Sequence, residues 1–406
     1  MKKYRTVAAI LPILMIFPII KAGAAGISEY ILIEKLVEKY ITKSSQAENI
    51  SLTAEKQLLD DYTIISSISE LEKQIESNEN TISKLESGKG SGTLNEQRYQ
   101  ADYQRIYGCE LEMKLELYKM QEQLDLLYAE YSEKITEQQT KQLEFDAYTI
   151  LWNINSNSKE QVYLNGMICQ KEHELSVMRE TLKLGYATES DVLAAEAELE
   201  QVKSELTVCE NERNVLLKKY ELGADEKLGE FLTEYAETAY STEAMLKEFE
   251  KNSFYPEYYR RQAEIYQAYA ETLEKLKNGM TPSSYNSEYF DRVQDYITGE
   301  AEYYYNEADI AENNAKRYSE SLELFVYETC GNADSLYAKH KAAEAALETS
   351  EKQLEISHVL LEEGRINETA LMEAENSVLK LKYELAEIEA NIMCIRFILD
   401  NLIENF

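Results

Sequence analysis

The sequence is poor in the residues that interrupt helices. It contains four prolines, and only Pro256 and Pro282 follow the first 18 residues. Average proline usage would give roughly twenty in a chain of this length. The glycines beyond the N-terminus are few and widely spaced, so backbone breaks are expected at a small number of positions. This composition favours long, uninterrupted helices.

Positive charge is also scarce. The chain has 42 lysines and arginines against 75 aspartates and glutamates, a net charge of −33. A nucleic-acid partner is excluded because phosphate binding requires a cationic face. Adhesion to an anionic membrane surface is disfavoured for the same reason. The excess of glutamate is typical of solvated helix faces.

Motifs that carry chemistry are lacking. The five cysteines are far apart, show no CxxC spacing and are odd in number, so they indicate neither a disulfide framework nor a zinc site. His173, His340 and His358 are isolated, and no phosphate-binding loop or nucleophile elbow occurs. We therefore predict a protein that is not an enzyme and needs no cofactor or metal.

The N-terminus has the pattern of a secretory signal peptide. Three cations precede an apolar run over residues 6–20, and Ala22-Gly23-Ala24 supplies the small residues of a cleavage site. The prediction is export, with residues 1–24 removed and a mature net charge of −37 after loss of the four cations in this segment. An uncleaved anchor is the alternative, although the run is short for a membrane span.

Beyond the leader, apolar residues recur at helical spacing over most of the chain. We expect a helix ending near Ser87 and another over 94–184, with interruptions near Gly108 and over 153–166. A third covers 189–222 and ends near Gly223. The second half is expected to contain a helix starting at Ser253 and ending near 277, a polar loop over 278–300, and helices over 301–363 and from 367 onward.

Two short segments combine a helix end with a helix start. In the first, residues 184–191, Gly185 suits the left-handed position after a helix, and Thr188 can cap the next helix with Asp191 three residues on. In the second, residues 363–370, Gly364 suits the same left-handed position and Asn367 can cap the next helix. We call these segments the first tip and the second tip, and each predicts a tight helical hairpin.

The two tips align at an offset of 179 residues. This pairs Leu182 with Leu361, Lys203 with Lys382, and Glu205-Leu206 with Glu384-Leu385. The helix after the second tip carries a heptad pattern, with one seam position at 371, 378, 385, 392 and 399 and the other at 374, 381, 388, 395 and 402. The interpretation is a duplicated hairpin, with one repeat over 25–224 and a second over 225–406.

The first tip and the helix after it, GYATESDVLAAEAEL from Gly185, resemble the hairpin motif of TolC-type outer membrane efflux proteins. The resemblance is strong over 172–224 and 351–404. It implies an all-α body of elongated antiparallel coiled-coil hairpins in two tandem repeats. Where that family places membrane strands, residues 87–97 are too few and 278–300 lack alternating apolar residues. We therefore expect no or minimal β-barrel, and a location in the extracytoplasmic cell envelope that is not an integral outer membrane barrel.

The resemblance also implies partners and sites. The expected function is a non-catalytic component of an efflux or export system, a conduit or spacer that can form a homotrimer. Its partners would be a periplasmic-adaptor-like membrane fusion protein and an inner-membrane transporter such as an ABC exporter. Asp191 lies where the family has an aspartate in the first repeat, but capping of the helix that Thr188 begins is the preferred interpretation of its role. The adaptor would dock on Leu184, Gly185, Tyr186, Glu363, Gly364 and Arg365, with Thr188, Asp191 and Asn367 as helix caps and Glu373 as the candidate pore-lining acid.

The competing interpretation is a secreted structural coiled coil or binding protein without transport activity. The two differ in assembly. A conduit needs a closed ring, so its helices should carry two apolar seams, whereas a monomeric bundle needs only one.

Overall fold

The protein is described from a computed structural model covering residues 37, 38, 40–42, 45–219 and 238–404. The predicted leader and the break near Gly223 lie outside these residues. Seven helices follow in order: α1 (Ser45–Glu86), α2 (Leu94–Lys183), α3 (Glu189–Lys219), α4 (Thr242–Asn252), α5 (Tyr255–Gly279), α6 (Ser287–Glu362) and α7 (Glu368–Asn401). The described residues contain helices and turns but no strand, which confirms the predicted all-α fold of long helical hairpins.

Two very long helices organise the body. At 1.5 Å per residue, the 90 residues of α2 extend about 135 Å and the 76 residues of α6 about 114 Å. In the first half α1 and α3 pack on α2, and in the second half α4, α5 and α7 pack on α6. The halves join because α5 and α7 also pack on α2.

Helix α2 is continuous, so the interruptions predicted near Gly108 and over 153–166 were wrong. The polar run Asn153-Ile-Asn-Ser-Asn157 looked like a break, but Ile154 and Asn157 are buried there. Asn157 donates from its side-chain amide to the carbonyl of Cys209 on α3, at 3.2 Å. Packing between helices therefore overrides the weak helix propensity of this stretch.

Helix α6 begins 14 residues earlier than predicted, at Ser287, and Gly299 lies inside it. The predicted polar loop over 278–300 is thus only a seven-residue connection, 280–286. The cause is a core in which Phe290, Val293 and Ile297 of α6 pack with Leu273 of α5. The helical spacing of these apolar residues was missed in the sequence because exposed polar residues lie between them.

One second-half helix was missing from the sequence expectation. Helix α4 was not predicted, and α5 starts at Tyr255, with Pro256 in its first turn, where proline is favoured. Phe249 of α4 is fully buried in a cluster with Val326 of α6 and Ile392 of α7. This cluster fixes α4 against α6.

Aromatic side chains join the halves in the middle of the body. The ring centroid of Phe397 on α7 lies 5.1 Å from that of Tyr148 and 6.2 Å from that of Trp152, both on α2.

Of the predicted heptad on α7, Val378, Ile392 and Leu399 are buried. The helix ends at Asn401, and Leu402 takes a left-handed conformation with φ of 51°. Among the described residues, no helix has the length and apolar character needed to cross a membrane.

Candidate interaction site at the helical tips

The first tip closes α2 with backbone hydrogen bonds. The amide of Gly185 donates to the carbonyl of Leu182 at 2.9 Å, and the amide of Tyr186 donates to that of Thr181 at 3.0 Å. Gly185 has a φ of +78°, which a residue with a Cβ adopts only under strain. This is a Schellman motif, and it reverses the chain within a few residues.

A capping box then starts α3. The amide of Thr188 donates to the Asp191 carboxylate at 2.8 Å, and the amide of Asp191 donates to the Thr188 hydroxyl oxygen at 3.3 Å. The hydrogen bonds from the Thr188 backbone and side chain lower the pKa of Asp191. Asp191 therefore acts locally as a charged cap at the helix N-terminus.

The second tip repeats this geometry at equivalent positions. The amide of Arg365 donates to the carbonyl of Leu360 at 2.8 Å, and Gly364 has a φ of +69°. The side-chain oxygen of Asn367 accepts a hydrogen bond from the amide of Ala370 at 3.0 Å. A neutral amide thus caps α7 where a carboxylate and a hydroxyl cap α3.

The surfaces of the tips differ in chemistry. The first tip presents Leu184, 71% exposed, and Tyr186, 84% exposed. The second tip presents Glu363 and Arg365, whose side chains form an exposed ion pair at 3.5 Å. One tip offers apolar and aromatic surface to a partner, and the other offers a pair of opposite charges.

Equivalent ion pairs brace the two hairpins. Lys203 on α3 lies 3.6 Å from Glu172 on α2, and Lys382 on α7 lies 3.0 Å from Glu351 on α6. The two lysines differ by 179 positions, as do the two glutamates. The repeat found in the sequence is therefore matched by a repeated contact in three dimensions. The sequence alignment paired the lysines but missed their glutamate partners, which lie on the other helix of each hairpin.

A buried polar contact links the hairpins to each other. The side-chain amide of Asn376 on α7 donates to the carbonyl of Gly166 on α2 at 3.2 Å and to the amide oxygen of Gln170 at 2.7 Å. Sequence reasoning missed this contact. The available signal was Gly166 itself, a glycine in the interior of a long helix.

Glu373 lies exposed on α7, six residues after Asn367. It stands apart from the capping contacts of both tips. The described residues contain no group of histidine, cysteine and acidic side chains arranged to hold a metal ion. The tips thus form a candidate surface for protein contact, built from turns and caps.

Comparison with solved structures finds bacterial outer membrane channels. The open state of the MtrE outer membrane channel of Neisseria gonorrhoeae gives a TM-score of 0.50 at 11% identity, over 91% of this chain and 88% of that chain. The CmeC outer membrane channel of Campylobacter jejuni gives 0.48 at 13% identity, over 70% of this chain and 67% of that chain. No protein-family profile and no curated protein sequence matches the chain.

The likeness to MtrE extends over both helical halves, because it covers nearly the whole of each chain. It confirms, at the level of the fold, the family resemblance that the tip motif indicated. The chain has the fold of the TolC-type outer membrane channels.

Proposed function

We propose that this protein is a non-catalytic component of an export system in the extracytoplasmic cell envelope. Copies assemble side by side into a helical conduit or spacer, a homotrimer in the simplest case, and the two tips of each copy dock an adaptor protein that connects to an inner-membrane transporter. The observation that carries the proposal is a second apolar seam on α6.

The first seam of α6 is buried within the chain, and includes Ile297, Ala308, Ala315, Leu322 and Val326. A second row, at seven-residue spacing over 296–359, faces solvent and is interrupted by Arg317 and Lys352. Its apolar members, each more than half exposed, are Tyr296, Tyr303, Ile310, Leu324 and Val359. We call this row the α6 outer seam.

Small residues fill the middle of the α6 outer seam. Gly331, Ala338 and Ala345 continue the same seven-residue spacing and are exposed. Small side chains let two helix backbones approach closely, and a heptad row of this kind suits coiled-coil packing. A solvated helix face has no need of apolar residues at this spacing, so the row favours another helix as its neighbour.

A second exposed apolar surface, which we call the α1–α3 edge, is provided by α1 and α3, which pack on α2. Ile65 on α1 and Leu193, Val208 and Val215 on α3 are each more than half exposed. A neighbouring copy placed with its α1–α3 edge on the α6 outer seam would cover both surfaces. A head-to-tail contact of this kind forms a closed ring when the rotation between copies closes, and that is the arrangement we propose.

The competing function, a monomeric coiled coil without transport activity, needs the buried seam alone. The additional exposed apolar surfaces on α6 and on the α1–α3 edge favour the ring. The MtrE-like fold supports the same assignment, since that protein is an outer membrane channel.

Docking of an adaptor is tested by crosslinking in cells. A photoreactive amino acid at Tyr186 or at Arg365 is expected to capture a protein of the cell envelope, since both side chains are exposed at the tips. The matched control is the same amino acid at Lys89, in the connection at the far end of α2. Identical products from Lys89 and from the tips, or no product from the tips, would contradict tip docking.

A further inference from the structure

The end of the body opposite the tips carries a surface that the proposed function does not use. The connections 87–93 and 280–286 meet there beside the first turns of α2. We call this region the base. Its exposed large apolar side chains are Leu94, which is 69% exposed, and three tyrosines.

Four tyrosines form the aromatic part of the base. Tyr99 and Tyr103 lie one turn apart on α2 and are 49% and 41% exposed, and Tyr285, just before α6, is 48% exposed. The rings of Tyr103 and Tyr289 stack with centroids 5.0 Å apart and an interplanar angle of 20°. The guanidinium of Arg292 lies 5.5 Å from the centre of the Tyr289 ring. These residues bring two helices together in one aromatic surface.

Buried hydrogen bonds hold this surface in place. The side-chain amide of Asn286 donates to the carbonyl of Tyr99 at 3.2 Å and to the Asp102 carboxylate at 3.3 Å. The hydroxyl of Ser283 also donates to Asp102 and accepts a hydrogen bond from the amide of Asn286 at 2.7 Å. Ser283 and Asn286 are each 9% exposed. The connection that carries Tyr285 is therefore fixed to α2 before any ligand binds.

Charge distinguishes the base from the rest of the chain. Residues 84–106 and 275–292 together contain seven lysines and arginines against five aspartates and glutamates. Their net charge is +2, in a chain of −33. Glu110 lies beside Tyr289, so the base as a whole is close to neutral and suits a neutral polymer better than the acidic helix faces suit an anionic one.

From these features we infer that the base binds an extended polysaccharide strand of the cell envelope. The apolar face of a pyranose ring stacks on an aromatic ring, and a tyrosine adds a hydroxyl group that bonds to the sugar hydroxyls. The exposed rings would be those of Tyr99 and Tyr285. The polar groups beside them would be those of Arg292 and Asp102. A fixed surface of this kind loses little conformational freedom on binding.

This inference depends on the proposed function only for the location of the protein outside the cytoplasm. It requires neither ring assembly nor docking at the tips. Failure of either of those would therefore leave the base intact, and failure at the base would leave the conduit intact.

The test is binding of the full purified chain to insoluble peptidoglycan and to soluble oligomers of β-linked N-acetylglucosamine. The wild-type chain is expected to sediment with the polymer and to bind the oligomer in calorimetry. Tyr99→Ala combined with Tyr285→Ala is expected to weaken binding by at least roughly ten-fold. Both side chains are about half exposed, so the helical circular dichroism spectrum should not change.

The matched control is Tyr186→Ala, which removes an exposed tyrosine from the first tip and should leave polysaccharide binding unchanged. Absence of binding by the wild-type chain would overturn the inference, as would equal binding by the double variant. Flotation of the wild-type chain with lipid vesicles, in the absence of polysaccharide binding, would overturn it in favour of a membrane contact.

Discussion

At the scale of single residues, a few polar contacts set the register between helices. Asn376 is 6% exposed and reaches across from α7 to α2, where Gly166 leaves room for it. A Cβ on Gly166 would lie 2.3 Å from the side-chain oxygen of Asn376 and 2.9 Å from a methyl carbon of Leu379. Such contacts require the side chains of Asn376 and Leu379, or the helix that carries them, to shift.

Gly166→Ala is therefore expected to lower the free energy of unfolding by about 2 kcal/mol, through overpacking and disturbed buried hydrogen bonds. Urea denaturation followed by circular dichroism measures this. The control is Gly299→Ala, at a helical position where a Cβ meets nothing within 4 Å. It is expected to stabilise the chain by roughly 0.5–1 kcal/mol. Equal effects of the two substitutions would contradict the close approach at Gly166.

Asp191 provides a pH-dependent test of the first tip. Because hydrogen bonds from Thr188 lower its pKa in the folded chain, its contribution to stability is present above the ordinary aspartate pKa. That contribution is lost as the pH falls through the lowered value. Titration of the labelled carboxyl carbon by NMR should give a pKa below that of an unstructured aspartate.

Thr188→Ala should return the pKa of Asp191 toward its ordinary value, since it removes one of the hydrogen bonds. The second tip serves as a comparison within the same chain. Its cap, Asn367, has an amide side chain, which does not titrate in the acidic range where aspartate does. An unchanged pKa in the variant would show that the Thr188 hydroxyl does not stabilise the carboxylate.

At the scale of helices, the sequence predicted those ends that have their own local chemistry. Gly185 and Gly364 marked both tips because their left-handed backbone needs glycine, and Thr188 and Asn367 marked the following starts. The predicted end of α5 near 277 also lies within two residues of Gly279. These signals act within a few residues and can be read without knowledge of the neighbouring helices.

Boundaries that depend on packing between distant segments could not be read in this way. The start of α6 depends on Leu273 and on Ile106 of α2, which share a core with its first turns. The contact of Asn376 with Gly166 joins residues 210 positions apart. The sequence pattern holds no direct record of such pairs, so the register between the halves was not predicted.

The early start of α6 gives a prediction for hydrogen exchange. The amides of residues 291–300 are expected to exchange as slowly as those of 304–313, because both segments lie within one helix packed on α5. Mass spectrometry of peptides from the exchanged chain makes the comparison. Rapid exchange over 291–300 would contradict the helix there and support the polar loop that the sequence pattern favoured.

At the scale of the whole molecule, the proposed assembly depends on the exposed apolar surfaces. Leu324 lies on the α6 outer seam and is 59% exposed, so its replacement should not disturb the fold of a single chain. Leu324→Arg places a charge within the proposed contact and should dissociate the assembly, since an unpaired buried charge is costly. Glu323→Arg, one residue away on a different face of α6, should leave the assembly intact.

The measurement that tests the central claim most directly is the native mass of the purified mature chain, with Leu324→Arg and Glu323→Arg compared at the same concentration. The account predicts a closed oligomer, a trimer in the simplest case, for the wild-type chain and Glu323→Arg, and a folded monomer for Leu324→Arg. A folded wild-type chain that stays strictly monomeric would contradict the conduit and favour the secreted coiled coil.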